Sequence, residues 1–379
     1  MFLAWRELSF ARSRFGLMGG VVALVAVLVV LLSGLSSGLV NDGVSGLKKL
    51  PVTAFAFDES TSVDSAFSRS TVDRDQLDQW SERDGVAEAA LFGNQLVNAE
   101  GEGGEAVDLA LFGVEPESFL APTDASLLEG DLLGAPDGIV VSETVTELGL
   151  GVGDVVTLDR LETELTIVGI LDGQHTFGHV DVAYVPLTTW QEIHAGAPAG
   201  TEVRPEAYDE ATAVALLAAD GAELDAAAGD DAAGTMTVSL DDSFDGSPGY
   251  AAETLTLDLI QVFLFAISAL VVGAFFTVWT IQRKHEIAVA RAMGASTGYL
   301  IRDALGQAAV VLVVSTFVGV AGGVAFGALL SSTPMPFALE AGPLAVASTL
   351  LVVLGLVGAA VSVGRIARVD PLTALGGQR

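Results

Sequence analysis

Residues 259–296 have the sequence LIQVFLFAISALVVGAFFTVWTIQRKHEIAVARAMGAS, in which an uncharged apolar run passes directly into a basic stretch. The uncharged part, Leu259 to Ile281, exceeds the roughly 20 helical residues that cross a hydrocarbon core of about 30 Å. Arg283 and Lys284 follow it at once, as basic residues do on the cytoplasmic side of a membrane. This stretch therefore predicts a transmembrane helix that ends at a cytoplasmic loop.

Three further segments are uncharged over a comparable length: Phe15–Val40, Ala304–Leu330 and Ala341–Val363. The first is far longer than the roughly 7–15 apolar residues of a secretory signal, so we interpret it as a retained anchor. A long polar segment separates it from the second apolar run. The sequence predicts a membrane protein with four transmembrane α-helices and a large α+β extracytoplasmic domain between helices 1 and 2.

Basic residues indicate the orientation of the predicted helices. Outside residues 42–258, Lys and Arg lie only before the first span, in the loop after the second, or after the fourth. Cytoplasmic segments carry such an excess, so we expect a multi-pass plasma-membrane protein with both termini in the cytoplasm. The predicted segments are a cytoplasmic or interfacial N-terminal helix (1–14), transmembrane helix 1 (15–40), the extracytoplasmic domain (41–252), transmembrane helix 2 (253–281), a cytoplasmic coupling loop (282–303), transmembrane helix 3 (304–330), an outer loop (331–340), transmembrane helix 4 (341–363) and a cytoplasmic tail (364–379).

Composition excludes several classes of function. Residues 42–258 carry 43 of the 48 acidic residues and seven of the 17 basic ones, and the whole chain has a net charge of -31. Nucleic-acid binding needs a basic face to meet the phosphates, so we expect no nucleic acid as a partner. The predicted membrane helices imply contact with membrane lipid. The residues after Lys48, Lys49 and Lys284 do not fit the phosphate-loop pattern GxxxxGK[ST], and cysteine is absent. No arrangement of nucleophile, base and oxyanion donors is identifiable either, so we expect no enzymatic activity, no zinc-thiolate site and no intrinsic cofactor.

The acidic segment itself has a mixed pattern of strands and helices. Val52–Phe57 and Leu165–Leu171 have the composition of strands, and Gly101–Gly104 indicates a turn between two more. Thr71 and Asp73, before DQLDQW, predict a capped helix that ends near Arg83. The stretch Ala211–Gly234, rich in Ala, Asp and Gly, is interpreted as a helix with a loose connection.

Glycines recur every four residues in two predicted helices, at Gly319, Gly323 and Gly327 in the third and at Gly34 and Gly38 in the first. Small residues at this spacing let helix backbones approach closely in a bilayer. The pattern predicts two closely packed faces, although glycine is also simply common in membrane helices.

The basic stretch after the second span alternates charged with small or apolar side chains. Gly294 interrupts it, and Ser296 can cap the next helix. On physical grounds the stretch is either a short amphipathic helix that docks into a groove on another protein or a plain polar hairpin.

Three stretches resemble one known family. RKHEIAVARAMGAS (283–296) is similar to the cytoplasmic loop of the FtsX/MacB-type ABC transporter permeases, RIARVDPLTALGG (365–377) to their closing segment, and residues 140–171 to their periplasmic core. The resemblance implies a homodimer that moves lipophilic cargo and binds two copies of a separate ABC-type ATPase, which carries ATP and magnesium. The residues that would couple to this ATPase are Arg283, Glu286, Ile287, Val289, Ala290, Arg291 and Gly294.

Leu32–Pro51 and Ser247–Phe265 further resemble the haem-efflux permeases of Gram-positive bacteria, which implies haem as cargo. Haem iron accepts ligands such as histidine, methionine and tyrosine. The candidate cargo residues are Tyr250, Tyr184, His175, His179, Met335 and Glu340, with His194 as a further histidine. Tyr250 is alternatively an interfacial aromatic anchor, and the histidines are alternatively surface or core residues. Two other functions stay open: export of a lipid or glycolipid, and an FtsX-type signalling permease that transmits ATPase motion to an extracellular hydrolase.

Overall fold

The computed structural model describes residues 12–282, 289, 293–331, 333 and 335–366. The chain divides into two compact units, Met1–Leu39 with Thr254–Arg379, and Val40–Glu253. We call the first the membrane unit and the second the outer domain. The helices in the described residues are α1 (Arg12–Lys48), α2 (Ala66–Arg69), α3 (Arg74–Ser81), α4 (Leu187–His194), α5 (Ala226–Ala233), α6 (Leu240–Ser243), α7 (Tyr250–Gln282), α8 (Thr297–Leu330) and α9 (Ala341–Ile366).

Four of these helices are long and apolar enough to cross a membrane: α1, α7, α8 and α9. They confirm the predicted four-helix membrane fold. Helix α1 continues past the predicted end of its span at Val40 as far as Lys48. The physical reason is that this extension buries Val44 and Leu47 in a core of the outer domain. Helix α7 likewise begins at Tyr250, ahead of its apolar run.

The outer domain is built on one mixed sheet. Its strands are β1 (Ala54–Asp58), β2 (Val86–Gly101), β3 (Ala106–Val114), β4 (Leu127–Gly130), β5 (Gly138–Val141), β6 (Val155–Leu158), β7 (Thr163–Leu171), β8 (Thr176–Phe177), β9 (Val180–Pro186), β10 (Ala213–Ala218) and β11 (Thr235–Ser239). The order is β11-β1-β10-β2-β3-β9-β5-β7-β4, with β6 paired to β2 and β7, and β8 paired to β9. Most pairs are antiparallel, but β3 with β9 and β5 with β7 are parallel. These strands and helices confirm the predicted α+β class.

Each face of the sheet carries its own hydrophobic core. Successive side chains of a strand point to opposite faces, so Phe55 and Phe57 of β1 lie in one core while Ala56 lies in the other. The core that contains Phe55 is aromatic, and neighbouring ring centroids within it lie 5.0–6.3 Å apart, mostly edge to face. The opposite core contains Trp80 of α3 and Trp190 of α4. Burial on both faces makes this domain a packed two-sided layer.

Several local predictions are confirmed. Asp73 caps α3 in a reciprocal capping box with Gln76, and the turn at Gly101–Gly104 joins β2 to β3. The interpretation of Ala211–Gly234 is wrong in part, because Ala213–Ala218 forms strand β10 before helix α5 begins. This strand lies between β1 and β2 and its first four residues are fully buried. A central strand buried on both faces shows no alternation, so its small apolar residues resemble a helix in sequence.

Glycines set the packing of the membrane unit. A side chain at Gly319 would collide with the carbonyl oxygen of Ala23, and one at Gly323 would lie 2.7 Å from Cβ of Val30. The close packing predicted for the glycine face of the third span is therefore confirmed, and its partner is the first span. Gly34 behaves differently, because the ring of Phe337 in the outer loop fills the space above it. The amide of Ala338 also donates a hydrogen bond of 3.0 Å to the carbonyl of Gly34.

Candidate functional site

A polar cluster lies where α1 ends and α7 begins within the outer domain. Oδ2 of Asp42, on α1, accepts a hydrogen bond of 2.8 Å from Nδ1–H of His179. On the other side of the ring, Nε2 lies 3.2 Å from Oε2 of Glu253, at ion-pair distance but without hydrogen-bond geometry. The carbonyl of Gly43 accepts hydrogen bonds of 2.9 Å from the amide of Gly178 and the hydroxyl of Ser247. The cluster thus ties both helix ends to the loop before β9.

Tyr250 lies beside this cluster, at the first turn of α7. Its ring is partly exposed and packs edge to face on Phe244, with the centroids 6.1 Å apart. A side chain at Gly43 would lie 3.5 Å from Cδ2 of Tyr250 and 3.8 Å from Cε1 of His179. The glycine therefore leaves room for both rings, and the structure brings these two cargo candidates together.

Tyr184 and His175 lie inside the domain rather than on its surface. Tyr184 is 4% exposed in the aromatic core, and burial raises the pKa of its phenol. His175 is 5% exposed; burial, and secondly the positive charge of Lys49, lower its pKa from 6.5 to about 4. Neither side chain reaches solvent in this conformation. Either residue could bind a cargo only if the core opened. Tyr184 and His175 therefore differ from the candidates that lie on the surface.

His194 occupies a third position. It ends α4, stacks on Trp190 with centroids 4.6 Å apart, and its Nδ1 lies 3.1 Å from Oε1 of Gln95. Burial lowers its pKa, while Glu210 opposes that shift. These contacts fit a structural histidine that is exposed at the edge of the core containing Trp190.

The membrane unit contains an apolar cavity of about 560 Å³. Its walls come from α1, α7 and the end of α8 with the outer loop, and every lining side chain is aliphatic, aromatic or a thioether. The lining residues are Leu28, Leu31, Leu32, Leu35, Ile260, Phe263, Leu264, Ile267, Leu330, Met335 and Phe337. Met335 is 48% exposed, and Glu340 is exposed at the other end of the same loop. A cavity of this volume and composition is typical of a site for a small lipophilic molecule.

Part of the predicted coupling stretch is described. Gly294 has φ of +97°, a left-handed conformation that favours glycine, and it ends the preceding turn. The hydroxyl of Ser296 accepts a hydrogen bond from the amide of Tyr299, which confirms the predicted cap of α8. Val289 is 42% exposed. The other coupling candidates lie outside the described residues: Arg283, Glu286, Ile287, Ala290 and Arg291.

Two features were missed in the sequence. The first is the pair of carboxylates on His179; Asp42 was a usable signal, since it is the first acidic residue after the first span. The second is the apolar cavity. Its leucines and phenylalanines are indistinguishable in sequence from residues that face lipid, so no signal separates them.

Two family profiles match the chain. The MacB-like periplasmic core domain matches residues 15–230, and the FtsX-like permease C-terminal domain matches residues 259–371. Because the first alone covers more than half of the sequence, the chain belongs to the FtsX/MacB-type ABC transporter permeases, as predicted. It is therefore a multi-pass membrane subunit of a transporter, and its family implies an ATPase partner.

Two similar proteins align with this chain over its whole length. The hemin transport system permease protein HrtB of Staphylococcus haemolyticus is 25% identical over 387 residues, covering 100% of this chain and 99% of that protein. A namesake from Staphylococcus epidermidis is 24% identical over 380 residues, with the same coverage. The crystal structure of the periplasmic region of MacB from Actinobacillus actinomycetemcomitans aligns at 13% identity with a TM-score of 0.36, covering 50% of this chain and 91% of that one.

Proposed function

We propose that the chain is the permease subunit of an ATP-driven exporter that takes haem from the outer leaflet of the membrane and expels it. The observation that carries the proposal is the apolar cavity between α1, α7 and the outer loop. Haem is a flat amphiphile that dissolves in a bilayer. A wide apolar opening between two membrane helices suits the entry of such a molecule from the side.

Two side chains are candidates for the haem iron. The thioether of Met335 lies on the cavity wall, and methionine is a known axial ligand of haem iron. The rings of Tyr250 and His179 both lie close to Gly43 in the outer domain, and a tyrosine phenolate is an established oxygen ligand of haem iron. The similar staphylococcal proteins are named as hemin transport permeases, which supports haem over other lipophiles.

The assembly proposed is a homodimer that binds two ATPase copies, with both termini of each permease in the cytoplasm. ATP and magnesium belong to the ATPase, and the permease holds no cofactor of its own. Residues 282–303 are proposed to dock on the ATPase, and exposed Val289 is a candidate contact. Val289→Asp should lower ATPase association or stimulated hydrolysis, because an unpaired charge is costly in a buried contact. Val289→Thr is the matched uncharged control, and equal ATPase binding by both variants would contradict the docking role.

The cargo is tested with haemin and the purified full chain in lipid nanodiscs. Wild type should shift the Soret band at about one haem per site. Met335→Leu and Tyr250→Phe should each change the spectrum if that side chain binds iron, while the matched controls Met293→Leu and Tyr299→Phe should not. Absence of any shift in wild type, together with normal haemin tolerance in cells that lack the permease, would favour the lipid or glycolipid cargo. If both variants show the same Soret shift as wild type, haem remains the proposed cargo, but neither Met335 nor Tyr250 is its iron ligand.

The cavity itself is tested by filling it. Leu32→Trp places a large ring into the lining, whereas Leu24→Trp places the same ring on a part of α1 that is 61% exposed and outside the lining. We expect the first variant alone to weaken haemin binding and export. Equal haemin binding and export by the two variants would show that the cargo does not bind in this cavity.

A further inference from the structure

An aromatic side chain of the outer loop, Phe337, lies between two membrane helices. A methyl group added at Gly34 of α1 would lie 2.6 Å from Cε2 of this ring, and one at Gly327 of α8 would lie 2.8 Å from Cε1. Carbon atoms in contact are ordinarily about 3.5–4.0 Å apart, so the ring fits only because both positions are glycine. The side chain is 9% exposed.

The backbone of the loop is held on α1 as well. One turn beyond Gly34, a methyl group at Gly38 would lie 2.6 Å from the amide nitrogen of Phe337 and would collide with the carbonyl oxygen of Pro336. The amide of Ala338 donates its hydrogen bond of 3.0 Å to the carbonyl of Gly34. Residues 336–338 are therefore anchored on α1 by a ring, a close backbone contact and a hydrogen bond.

The ring also spaces the two helices. Helix α8 touches α1 directly at Gly319, where an added methyl group would lie 2.5 Å from Cβ of Ala26. About two turns further along α8, at Gly327, the ring of Phe337 lies between this helix and Gly34. Direct contact between the helices thus gives way to contact through the ring next to the outer loop.

The anchored loop forms one wall of the apolar cavity. Phe337 and Met335 both line it, and Met335 directly precedes the anchored residues. A methionine side chain has three rotatable bonds, so the direction of its thioether depends on where the backbone is held. Gly34 is not among the lining residues, so a substitution there acts on the cavity through Phe337.

We propose that Phe337 is a positioning residue, which holds the outer loop against the cavity and thereby directs the thioether of Met335 into it. The part that concerns haem iron rests on the proposed function, in which Met335 is a candidate ligand. The position of the wall is independent of the cargo, because any lipophilic molecule in this cavity would contact the same ring and loop.

Hydrogen exchange without cargo tests the anchor, with the purified full chain in lipid nanodiscs. Gly34→Ala places a methyl group against the ring and should speed exchange of the peptide covering 335–341 by at least about fivefold, the low end of the effect of overpacking. Gly20→Ala, on the same helix, would meet nothing within 4 Å and is the matched control. Equal exchange in these two variants overturns the proposal.

A compensating substitution separates the anchor from a general loss of folding. Leucine lacks the ring atoms that would collide with the added methyl group, so Gly34→Ala combined with Phe337→Leu should recover most of the protection. A peptide of the outer domain, 106–114, should exchange alike in all variants. A double variant that exchanges as fast as Gly34→Ala alone also overturns the proposal.

The haemin spectrum then tests the position of Met335. Gly34→Ala should alter the Soret band in the same way as Met335→Leu, and the double variant should return it toward wild type. A wild-type spectrum in Gly34→Ala, where Met335→Leu alters it, overturns the positioning of the thioether. If wild type binds no haemin, or if Met335→Leu changes nothing, the proposed cargo or its ligand fails, and the exchange result alone decides whether Phe337 positions the cavity wall.

Discussion

The outer domain and the membrane unit are packed in opposite ways. The outer domain fills its sheet faces with large rings, such as Phe55, Phe92 and Phe112, each fully buried. The membrane unit brings helices together where a side chain is missing, at Gly319 against Ala23. Water drives large apolar groups into a core, but lipid tails are as apolar as the helices and provide no such force. In the membrane, close van der Waals contact has to replace it.

This comparison predicts opposite sensitivities. Shortening a buried side chain should destabilise the outer domain, whereas lengthening one at a helix contact should destabilise the membrane unit. Phe112→Ala should have the largest effect, since the ring contacts Phe92, Phe177 and Tyr184 at centroid distances of 5.0–6.0 Å. The expected loss is about 3–5 kcal/mol, from lost burial and the cavity left behind. Hydrogen exchange of the peptides that cover β3 and β9, in the full chain, measures it.

The control for this substitution is Leu96→Ala on strand β2, whose side chain is 45% exposed. It should cost less than about 0.5 kcal/mol. A comparable loss in both variants would mean that the aromatic core is not the main source of stability in this domain.

Adding one methyl group to the membrane unit should have the next largest effect. Gly319→Ala forces α8 away from α1 and should cost roughly 1–3 kcal/mol, the usual range for overpacking. Gly322→Ala, on the same helix, would meet only Val27, at 3.7 Å, and should be tolerated. The thermal midpoints of the two purified variants in one detergent decide this. Equal midpoints would contradict the glycine contact.

Acid should weaken the outer domain through His175, with no equivalent in the apolar helices. The folded pKa is lowered to about 4, so the unfolded chain takes up the proton first as pH falls below 6.5. The contribution to stability is fully present above about pH 6.5 and is lost toward pH 4, by at most about 1.4 kcal/mol per pH unit. Denaturation midpoints of wild type and His175→Gln between pH 7.5 and 4.5 should converge as the pH falls. Parallel curves would show that this histidine does not titrate on unfolding.

The smallest expected effect concerns the N-terminal cap of helix α3, on the surface of the outer domain. The carboxylate of Asp73 caps α3 by accepting a hydrogen bond of 3.0 Å from the amide of Gln76. Asp73→Ala removes this cap and should lower the free energy of unfolding by about 1 kcal/mol. Asp75→Ala removes an acid from the first turn without removing the cap, and should cost a few tenths. Exchange of the peptide covering 73–82 reports both. A greater loss in the second variant would contradict the capping assignment.

Local patterns predicted those features that depend on neighbouring residues. The uncharged runs gave the four membrane helices, Asp73 gave a helix start, and Gly101–Gly104 gave a turn. Strand β10 was misassigned because its identity depends on strands β1 and β2, which are distant in sequence. Of the candidate cargo residues, Tyr250 and His179 both lie close to Gly43, whereas Tyr184 and His175 are buried. Residue type alone carries no information on which side of a sheet a tyrosine will face.

The sequence by itself determined the number of membrane helices, the acidic outer domain between the first two, and the family, because length, charge and short motifs are properties of contiguous residues. Only the tertiary structure decided which groups meet. Asp42, His179 and Glu253 are separated by more than 70 residues at each step, yet their side chains lie within 3.2 Å. The cavity beside Met335 likewise forms only when three helices and a loop converge. Such sites depend on the packing of distant segments, which no local pattern records.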